Sequence, residues 1–404
     1  MKKTVTGILR NLVQWGYCVY WRVRAVFRMG RRRHRNGRLR VGFLVQMAEV
    51  WDKQINVYEE LLTRDNTEVF LFVVPPYDNE KKTVVNSFHN NYFLNNYPNA
   101  IKAVDANGKG IDLRQFELDY VFYQRPYDHY LPKGLRSNIV SAYARCCYIP
   151  YGFSGSDVFD DGNTNFHFFV NIYASFMESA YMQKKLKQKF PVSSVFGVRR
   201  IENVGYPSLE PFLKPVERKS VETVLWTPRW SYDPTMGGSH FLEYRDMLSK
   251  IKNQFHDINC IFRPHPMMFE ELKAKGLMTA EEISDYLHAL QDQGISYDTG
   301  CPINQAIERA DVLISDYSSI IIAFFLTGKP IIYCPSQIEL NETYSEMAKY
   351  MYIAENEEQI RGYMEQIALG NDYLYEKRKH FISSEFSNHR HAAGRIVDML
   401  IKYQ

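Results

Sequence analysis

Short unbroken apolar runs, separated by stretches where apolar positions recur every three or four residues, set the pattern of this chain. Residues 40–47 (RVGFLVQM), 67–74 (TEVFLFVV) and 118–123 read as buried strands, and 146–151 as a further extended run. Residues 50–64 and 137–144 carry helical spacing between them. Residues 166–189 read as one long aromatic-rich helix ending in Lys184, Lys185, Lys187 and Lys189, which extend a basic surface or cap the helix end. Residues 191–215 hold Gly205, Pro207, Pro211 and Pro215 and read as a crossing between domains. The alternation then restarts. Strands are expected at 223–227, 258–263, 312–315 and 330–333, helices at 241–254, 280–291 and 318–326, and helices from 341 to the end. Strands alternating with helices predict parallel pairing. The expected class is α/β, with two βαβ domains facing a central cleft and ligands at the carboxyl ends of the strands.

The segment before the first strand has a different pattern. Leu9, Leu12, Val13, Val19, Tyr20, Val23, Val26 and Phe27 fall on one helical face, and Arg10, Gln14, Tyr17, Trp21, Arg24, Arg28 and Arg31 on another. Charge sharpens the picture. Residues 1–40 hold twelve Lys/Arg and no acid, and the remainder holds 37 bases against 46 acids, so the net +3 conceals a basic arm on an acidic body. Arg10, Arg22, Arg24 and Arg28 interrupt any spanning run, and no secretory cleavage site is evident. With Trp15, Tyr17, Tyr20 and Trp21, the arm is expected to lie on an anionic membrane surface. Its alternatives are a protein partner or a solvated basic helix. Nucleic acid is not expected, because the body is acidic. Expected divisions are an arm at 1–39, a first domain at 40–204 and a second at 205–404.

Length and composition suit two ordinary cores: 404 residues, 45% hydrophobic. The six cysteines form no C-x-x-C pair and no short His/Cys cluster, so buried thiols of a cytoplasmic protein are expected and no metal site is. Asp157, Asp160 and Asp161 read as a solvated acidic loop rather than a cation site, and residues 388–391 (NHRH) as a polar helix face. The chain has no G-x-G-x-x-G and no Walker A motif, so NAD and P-loop chemistry find no support.

Three strand ends of the second half carry candidate chemistry. An apolar strand runs into Asp316-Tyr317-Ser318-Ser319, and a helix begins at once. A helix start with serine hydroxyls suits a phosphate, although Ser318 could be a plain N-cap. Arg263-Pro264-His265-Pro266 follows another strand. Two prolines stiffen that turn, Arg forks onto phosphate oxygens, and His donates to phosphate or moves a proton. Trp226-Thr227-Pro228-Arg229-Trp230 ends the first strand of this half, where Arg229 could hold phosphate while an aromatic stacks a base. A βαβ arrangement brings all three loops to one rim.

In combination these motifs, with Gly328-Lys329-Pro330 and Gly205-Tyr206-Pro207, resemble the CDP-glycerol glycerophosphotransferases of teichoic-acid and capsule synthesis. The resemblance is good from about 205 to 335. It implies a GT-B fold with a CDP-glycerol or related CDP-polyol donor in the C-terminal domain. An acceptor hydroxyl on a lipid-linked glycan or polymer would attack the β-phosphorus and release CMP. By resemblance His265 and Arg263 are the catalytic residues, and Ser318, Ser319, Asp316, Arg229, Trp226 and Thr227 hold the donor. No cofactor is implied beyond the donor substrate, and a divalent cation has no support in the sequence. Such an enzyme would work as a peripheral protein on the cytoplasmic face of the cell membrane. The chain departs from the family at its usual Trp-His-Gly, where the histidine is the expected base. Here Tyr148-Ile149-Pro150-Tyr151-Gly152 stands, with His167, His240 and Asp161 as substitutes. The family's acid after the serine pair is replaced by Ile322-Ala323. The rival readings are a nucleotide-sugar glycosyltransferase on the same fold and a non-catalytic CDP-polyol binder that has lost its base.

Overall fold

The computed structural model describes residues 2–34, 37–78, 83–84, 91–105, 107–159, 164–216, 220–233, 238–298 and 303–403. The chain forms two compact units, one of Met1–Phe153, Phe159–Glu210 and Asn388–Gln404, the other of Ser154–Val158 and Pro211–Ser387.

The first unit holds seven parallel strands: β1 (Leu39–Val45), β2 (Thr67–Val73), β3 (Ala100–Lys102), β4 (Tyr120–Tyr123), β5 (Arg145–Tyr148), β6 (Ile172–Phe176) and β7 (Arg200–Glu202). They pair in the order β3-β2-β1-β4-β5-β6-β7, with β1 switching direction of progression between β2 and β4. β4, β5 and β6 are buried along nearly their whole length, as strands covered on both faces must be.

The long helix expected at 166–189 is not formed. Asn165 caps a four-residue helix Phe166–Phe169, the strand Ile172–Phe176 follows, and Ser179 caps a second helix Ala180–Lys189. Ile172–Phe176 is buried throughout, and a short apolar run of this kind carries no period to separate strand from helix.

The second unit repeats the order with six strands: β8 (Thr223–Thr227), β9 (Asn259–Phe262), β10 (Ser296–Tyr297), β11 (Val312–Ser315), β12 (Ile331–Tyr333) and β13 (Tyr352–Ile353). They pair β10-β9-β8-β11-β12-β13, all parallel. β13 interrupts what was expected to be helix from 341 onward.

The chain does not divide at 204/205 alone. The last helix, Ala392–Lys402, belongs to the first unit, where it buries Ile396, Val397 and Leu400, and the Tyr120 hydroxyl donates to Leu400 O at 3.1 Å. Gly205 sits at φ +95°, and a Cβ there would lie only 2.0 Å from Asn388 O. Tyr206 N donates to His389 Nδ1 at 2.7 Å, and the Tyr206 hydroxyl to Pro150 O at 2.7 Å. His389, expected on a polar face, is therefore a buried acceptor, its pKa pushed down to about 4 by burial and by Arg395. In the other direction Ser154–Val158 joins the second unit, where the Asn341 amide donates to Ser154 O at 2.9 Å.

The basic arm is a helix, Lys2–His34. Its docked face is the one bearing the polar side chains. Gln14, Cys18 and Trp21 are buried, and the Tyr17 hydroxyl donates to Asn171 Oδ1 at 2.7 Å. Arg24 donates to Ser141 O, and Arg28 to Leu118 O at 3.1 Å and Asp119 O at 2.8 Å. Burial, with Arg145 nearby, pushes the Arg28 pKa down to about 9. The apolar face is left outside: Ile8, Leu9, Leu12, Val19, Val23, Val26 and Phe27 are each more than half exposed. The side chains of Lys2, Lys3, Arg31, Arg32 and Arg33, and all of Arg35, lie outside the described residues.

Candidate functional site

The three motif loops of the second unit leave one edge of its sheet. β8 pairs with β9 (Trp226↔Phe262) and with β11 (Thr227↔Ser315), so residues 228–230, 263–266 and 316–319 all follow carboxyl ends of adjacent strands. A doubly wound sheet opens its ligand crevice at that edge.

Asp316 organises it. The residue is 1% exposed. Its Oδ2 accepts from Arg229 N at 3.0 Å and His240 N at 3.2 Å, and its Oδ1 lies 3.1 Å from His240 Nδ1. The hydrogen bond to this carboxylate raises the His240 pKa against the opposing effect of burial. A carboxylate so engaged is a clamp between the loops after β8 and β11, not the donor contact expected of it. Thr227 is also internal, its hydroxyl donating to Ser315 Oγ at 2.8 Å. Trp226 is 1% exposed and packed between Phe241 (5.8 Å) and Phe262 (5.2 Å), so it offers no face to a base. These three expectations are corrected: alternation along β8 and β11 turns the residues into the core or into the clamp.

Arg229 ties the loops together. Its Nη1 donates to Tyr317 O at 3.2 Å, its guanidinium lies 5.2 Å from the Tyr317 ring centroid, and burial lowers its pKa. Its charge also lowers the pKa of His265, after the larger effect of desolvation. His265 is neutral in consequence near pH 7. Its Nδ1 accepts from Met267 N at 3.2 Å, which leaves the proton on Nε2. The exposed ring leans on Trp230 at 5.9 Å. Arg263 is partly committed, with Nη1 2.7 Å from Asp298 Oδ2. Ser318 is half-buried and Ser319 exposed, and neither makes a strong capping bond to the helix Ile320–Leu326: Ser318 Oγ lies 3.5 Å from Ile320 N. That helix has seven residues, so its dipole is small and the hydroxyls are the larger attraction for an anion.

Residues 210–402 match the family model described as CDP-Glycerol:Poly(glycerophosphate) glycerophosphotransferase. This segment belongs to that glycerophosphotransferase family. The chain is accordingly a transferase. No curated protein sequence gives a significant match. The wall teichoic acid polymerase TagF, solved with CDPG, has 14% identity and a TM-score of 0.54, covering 90% of this chain and 88% of that one. UDP-GlcNAc 2-epimerase from Methanocaldococcus jannaschii has 12% identity and a TM-score of 0.57, covering 90% and 100%. The Neisseria meningitidis UDP-GlcNAc 2-epimerase bound to UDP-GlcNAc has 12% identity and a TM-score of 0.58, with the same coverage. At these identities the likeness establishes the fold, a GT-B pair of Rossmann-type units.

Within the matched segment, the Gly328-Lys329-Pro330 motif is structural. Gly328 has φ +75°, and buried Lys329 donates to Ile307 O, Glu308 O and Ala310 O at 2.9, 3.1 and 2.7 Å. It caps the carbonyl end of the helix Ile303–Arg309. The His240–Asp316 pair and Trp230 were not read as a unit from the sequence; Trp230 beside the Arg229 motif was the available signal. Of the substitutes for the missing histidine, His240 is held by Asp316, His167 is exposed on a one-turn helix, and Asp161 lies outside the described residues. The Tyr151 hydroxyl is 3.1 Å from that of Tyr127, and burial raises its pKa further from a base's range. Among the described residues, no cluster of three or more His, Cys, Asp or Glu could hold a metal ion, and Asp160 lies outside them.

Proposed function

We propose that the chain transfers a polyol phosphate, glycerol phosphate in the first instance, from a CDP-polyol to a hydroxyl of a lipid-linked glycan or polymer. The reading is carried by the convergence of the three motif loops at the carboxyl ends of adjacent strands β9, β8 and β11, with Arg229 Nη1 bonded to Tyr317 O just before Ser318. In the transfer, the acceptor oxygen bonds to the β-phosphorus while the bond from that phosphorus to the oxygen of CMP breaks. Arg229 and the His265 Nε2–H stabilise charge on the phosphoryl oxygens, the Ser318 and Ser319 hydroxyls hold the diphosphate, and Arg263 stiffens its loop against Asp298. Trp230 offers the aromatic face that Trp226 cannot. Incubating the protein with CDP-glycerol and a glycerol-phosphate oligomer should release CMP, with UDP-GlcNAc as the control that does not compete. A protein that binds UDP-GlcNAc in preference, or turns over neither, refutes the reading.

The site of action we propose is the cytoplasmic face of the cell membrane, reached through the first helix. The support is its orientation: Arg24 and Arg28 are spent on the protein, and a stripe from Ile8 to Phe27 faces outward beside exposed Arg10, Arg22 and Trp15. Among the described residues, no helix is long and apolar enough to cross a membrane. Each apolar side chain entering the interface gains up to about 1.5–3 kcal/mol, and each nearby base about 1 kcal/mol on anionic lipid. Flotation with phosphatidylglycerol vesicles should recover the protein, and Val23→Ser with Phe27→Ser should reduce recovery. Equal recovery of wild type and variant, or a dimer formed through the stripe, refutes it.

A further inference from the structure

Beneath the first helix lies a cavity of about 440 Å³. Its walls are that helix and the segments that run into the amino ends of β4 and β5, residues 114–119 and 142–143. Every lining residue belongs to the first unit. The walls are tied together by the helix itself. Arg24 and Arg28 sit one turn apart on its docked face and both line the cavity. Arg24 Nη1 donates to Ser141 O, and Arg28 Nη2 to Leu118 O at 3.1 Å, Asp119 O at 2.8 Å and Tyr143 O at 3.4 Å. A third arginine is fixed from the other side. Asp112 caps the turn Leu113–Phe116 by accepting from Arg114 N at 3.0 Å, and its carboxylate also takes Arg114 Nη2 at 2.8 Å.

The lining holds these three guanidinium groups and two carboxylates, Glu117 and Asp119. Both acids are engaged by Arg40: Asp119 Oδ2 accepts from its N at 3.0 Å, and Glu117 Oε2 lies 3.9 Å from its Nη1. The bonds that dock Arg24 and Arg28 take one nitrogen of each group and end on carbonyl oxygens, so they orient the cations without cancelling their charge. A guanidinium has five N–H donors, and a phosphate accepts two of them side by side. Burial and Arg145 depress the Arg28 pKa, and Asp119 offsets them only in part, so a further anion in the cavity would relieve that cation. The volume falls in the range of small-molecule pockets, about 300–1,000 Å³. The place of the cavity narrows the choice of anion. Phe27 lines it, is 73% exposed, and belongs to the apolar stripe with Val23 and Val26. A helix lying in a membrane interface sinks its apolar face about 5–10 Å into the boundary between headgroups and acyl chains, which sets this cavity at the depth of the lipid phosphates.

We propose that this cavity is a headgroup site, in which Arg24, Arg28 and Arg114 hold the phosphodiester of an anionic glycerophospholipid while its acyl chains run past Phe27. The inference rests on the membrane-surface reading of the first helix and deepens it. The stripe sets how deeply the helix enters, and the cavity selects which lipid it meets. A zwitterionic headgroup brings its own ammonium group toward the arginines, whereas the glycerol of phosphatidylglycerol brings no charge. Phosphatidylglycerol is therefore preferred over phosphatidylcholine, beyond what the general attraction of a basic helix supplies.

The test titrates the full-length protein in a calorimeter with dihexanoyl-phosphatidylglycerol kept below its micelle concentration, with dihexanoyl-phosphatidylcholine and inorganic phosphate as the other arms. Wild type should bind the soluble phosphatidylglycerol about tenfold or more tightly than either. Ala142 is exposed and lines the cavity, so Ala142→Phe fills it without changing the charge. That variant should weaken phosphatidylglycerol about tenfold while melting with wild type. Arg114→Gln, at an exposed position, should weaken it about fivefold. Inorganic phosphate that binds as tightly as the soluble lipid makes this a free-anion site and overturns the headgroup assignment. Unchanged binding in both variants overturns it too, as does a wild type that floats with phosphatidylglycerol vesicles yet does not distinguish the two soluble lipids. Wild-type protein that fails to float is a different failure: it removes the membrane-surface reading, and this proposal with it.

Discussion

Replacing Asp316 by Asn tests the clamp on which the donor-side rim depends. The carboxylate serves three nitrogens, Arg229 N, His240 N and the His240 ring, while 1% exposed. An amide of the same shape keeps one oxygen for the two backbone N–H groups. It loses the charge and turns an N–H₂ toward Nδ1, so the charge-assisted bond to His240 goes, at about 1.5–3 kcal/mol. Asp316→Ala also strands both buried N–H groups, at about 1–3 kcal/mol each. For a unit of this size, each kcal/mol lowers the melting point by about 2–4 °C, so Asp316→Asn should fall by about 3–12 °C in calorimetry. The pH dependence carries the sign. His240's pKa is raised in the folded state, so the stabilisation is complete below its unfolded pKa of about 6.5 and is lost as pH rises through the raised value. The gap between wild type and Asp316→Asn should therefore be widest near pH 6 and narrow toward pH 9. NMR titration of His240 should move down in the variant, and CDP-glycerol affinity should fall because Arg229 is no longer fixed. A variant that melts with wild type across this range, with His240 titrating unchanged, would show that the contact does not hold the loops.

Other outcomes follow from the same geometry. Gly205→Ala should cost about 4 kcal/mol or more, seen as loss of soluble protein, because its Cβ would meet Asn388 O at 2.0 Å in a φ +95° backbone. Trp226→Ala should cost about 3–5 kcal/mol in urea unfolding, whereas Trp230→Ala should unfold near wild type and weaken CDP-glycerol binding. His265→Asn should lower kcat about 10²–10³-fold with folding intact, measured by CMP release. Lys329→Ala removes a buried cation that satisfies three carbonyls, and should cost about 3–5 kcal/mol with little change in the donor KM of the folded fraction.

The strands β8 and β11 were legible residue for residue, because each is a short apolar run closed by a proline or a polar turn. So was the convergence of their loops, since parallel pairing puts all carboxyl ends on one edge. The roles inside those loops were less legible. Trp226 and Trp230 are four residues apart in one motif, yet one packs between Phe241 and Phe262 and the other leans on His265. Pleat alternation and the turn after Thr227 decide between them, and a motif records neither. Likewise Asp316 looks like a donor ligand beside Ser318 and Ser319 until the backbone N–H groups of distant Arg229 and His240 are seen on it. β6 was missed because an apolar pentamer without alternation fits either state, and its neighbours β5 and β7 supply the pairing that makes it a strand.

Periodicity and charge, which are local, were enough to make the first 34 residues a basic amphipathic helix and the body a doubly wound α/β chain. Which face of that helix the protein keeps was decided by tertiary contact alone. Ser141, Leu118 and Asp119 present carbonyl oxygens that arginines satisfy and valines cannot, so the charged face turns inward and the apolar one outward. The same holds for the last helix, whose amphipathic pattern demands a partner without naming it. The buried surface beside Tyr120 in the first unit, far away in sequence, is what claims it.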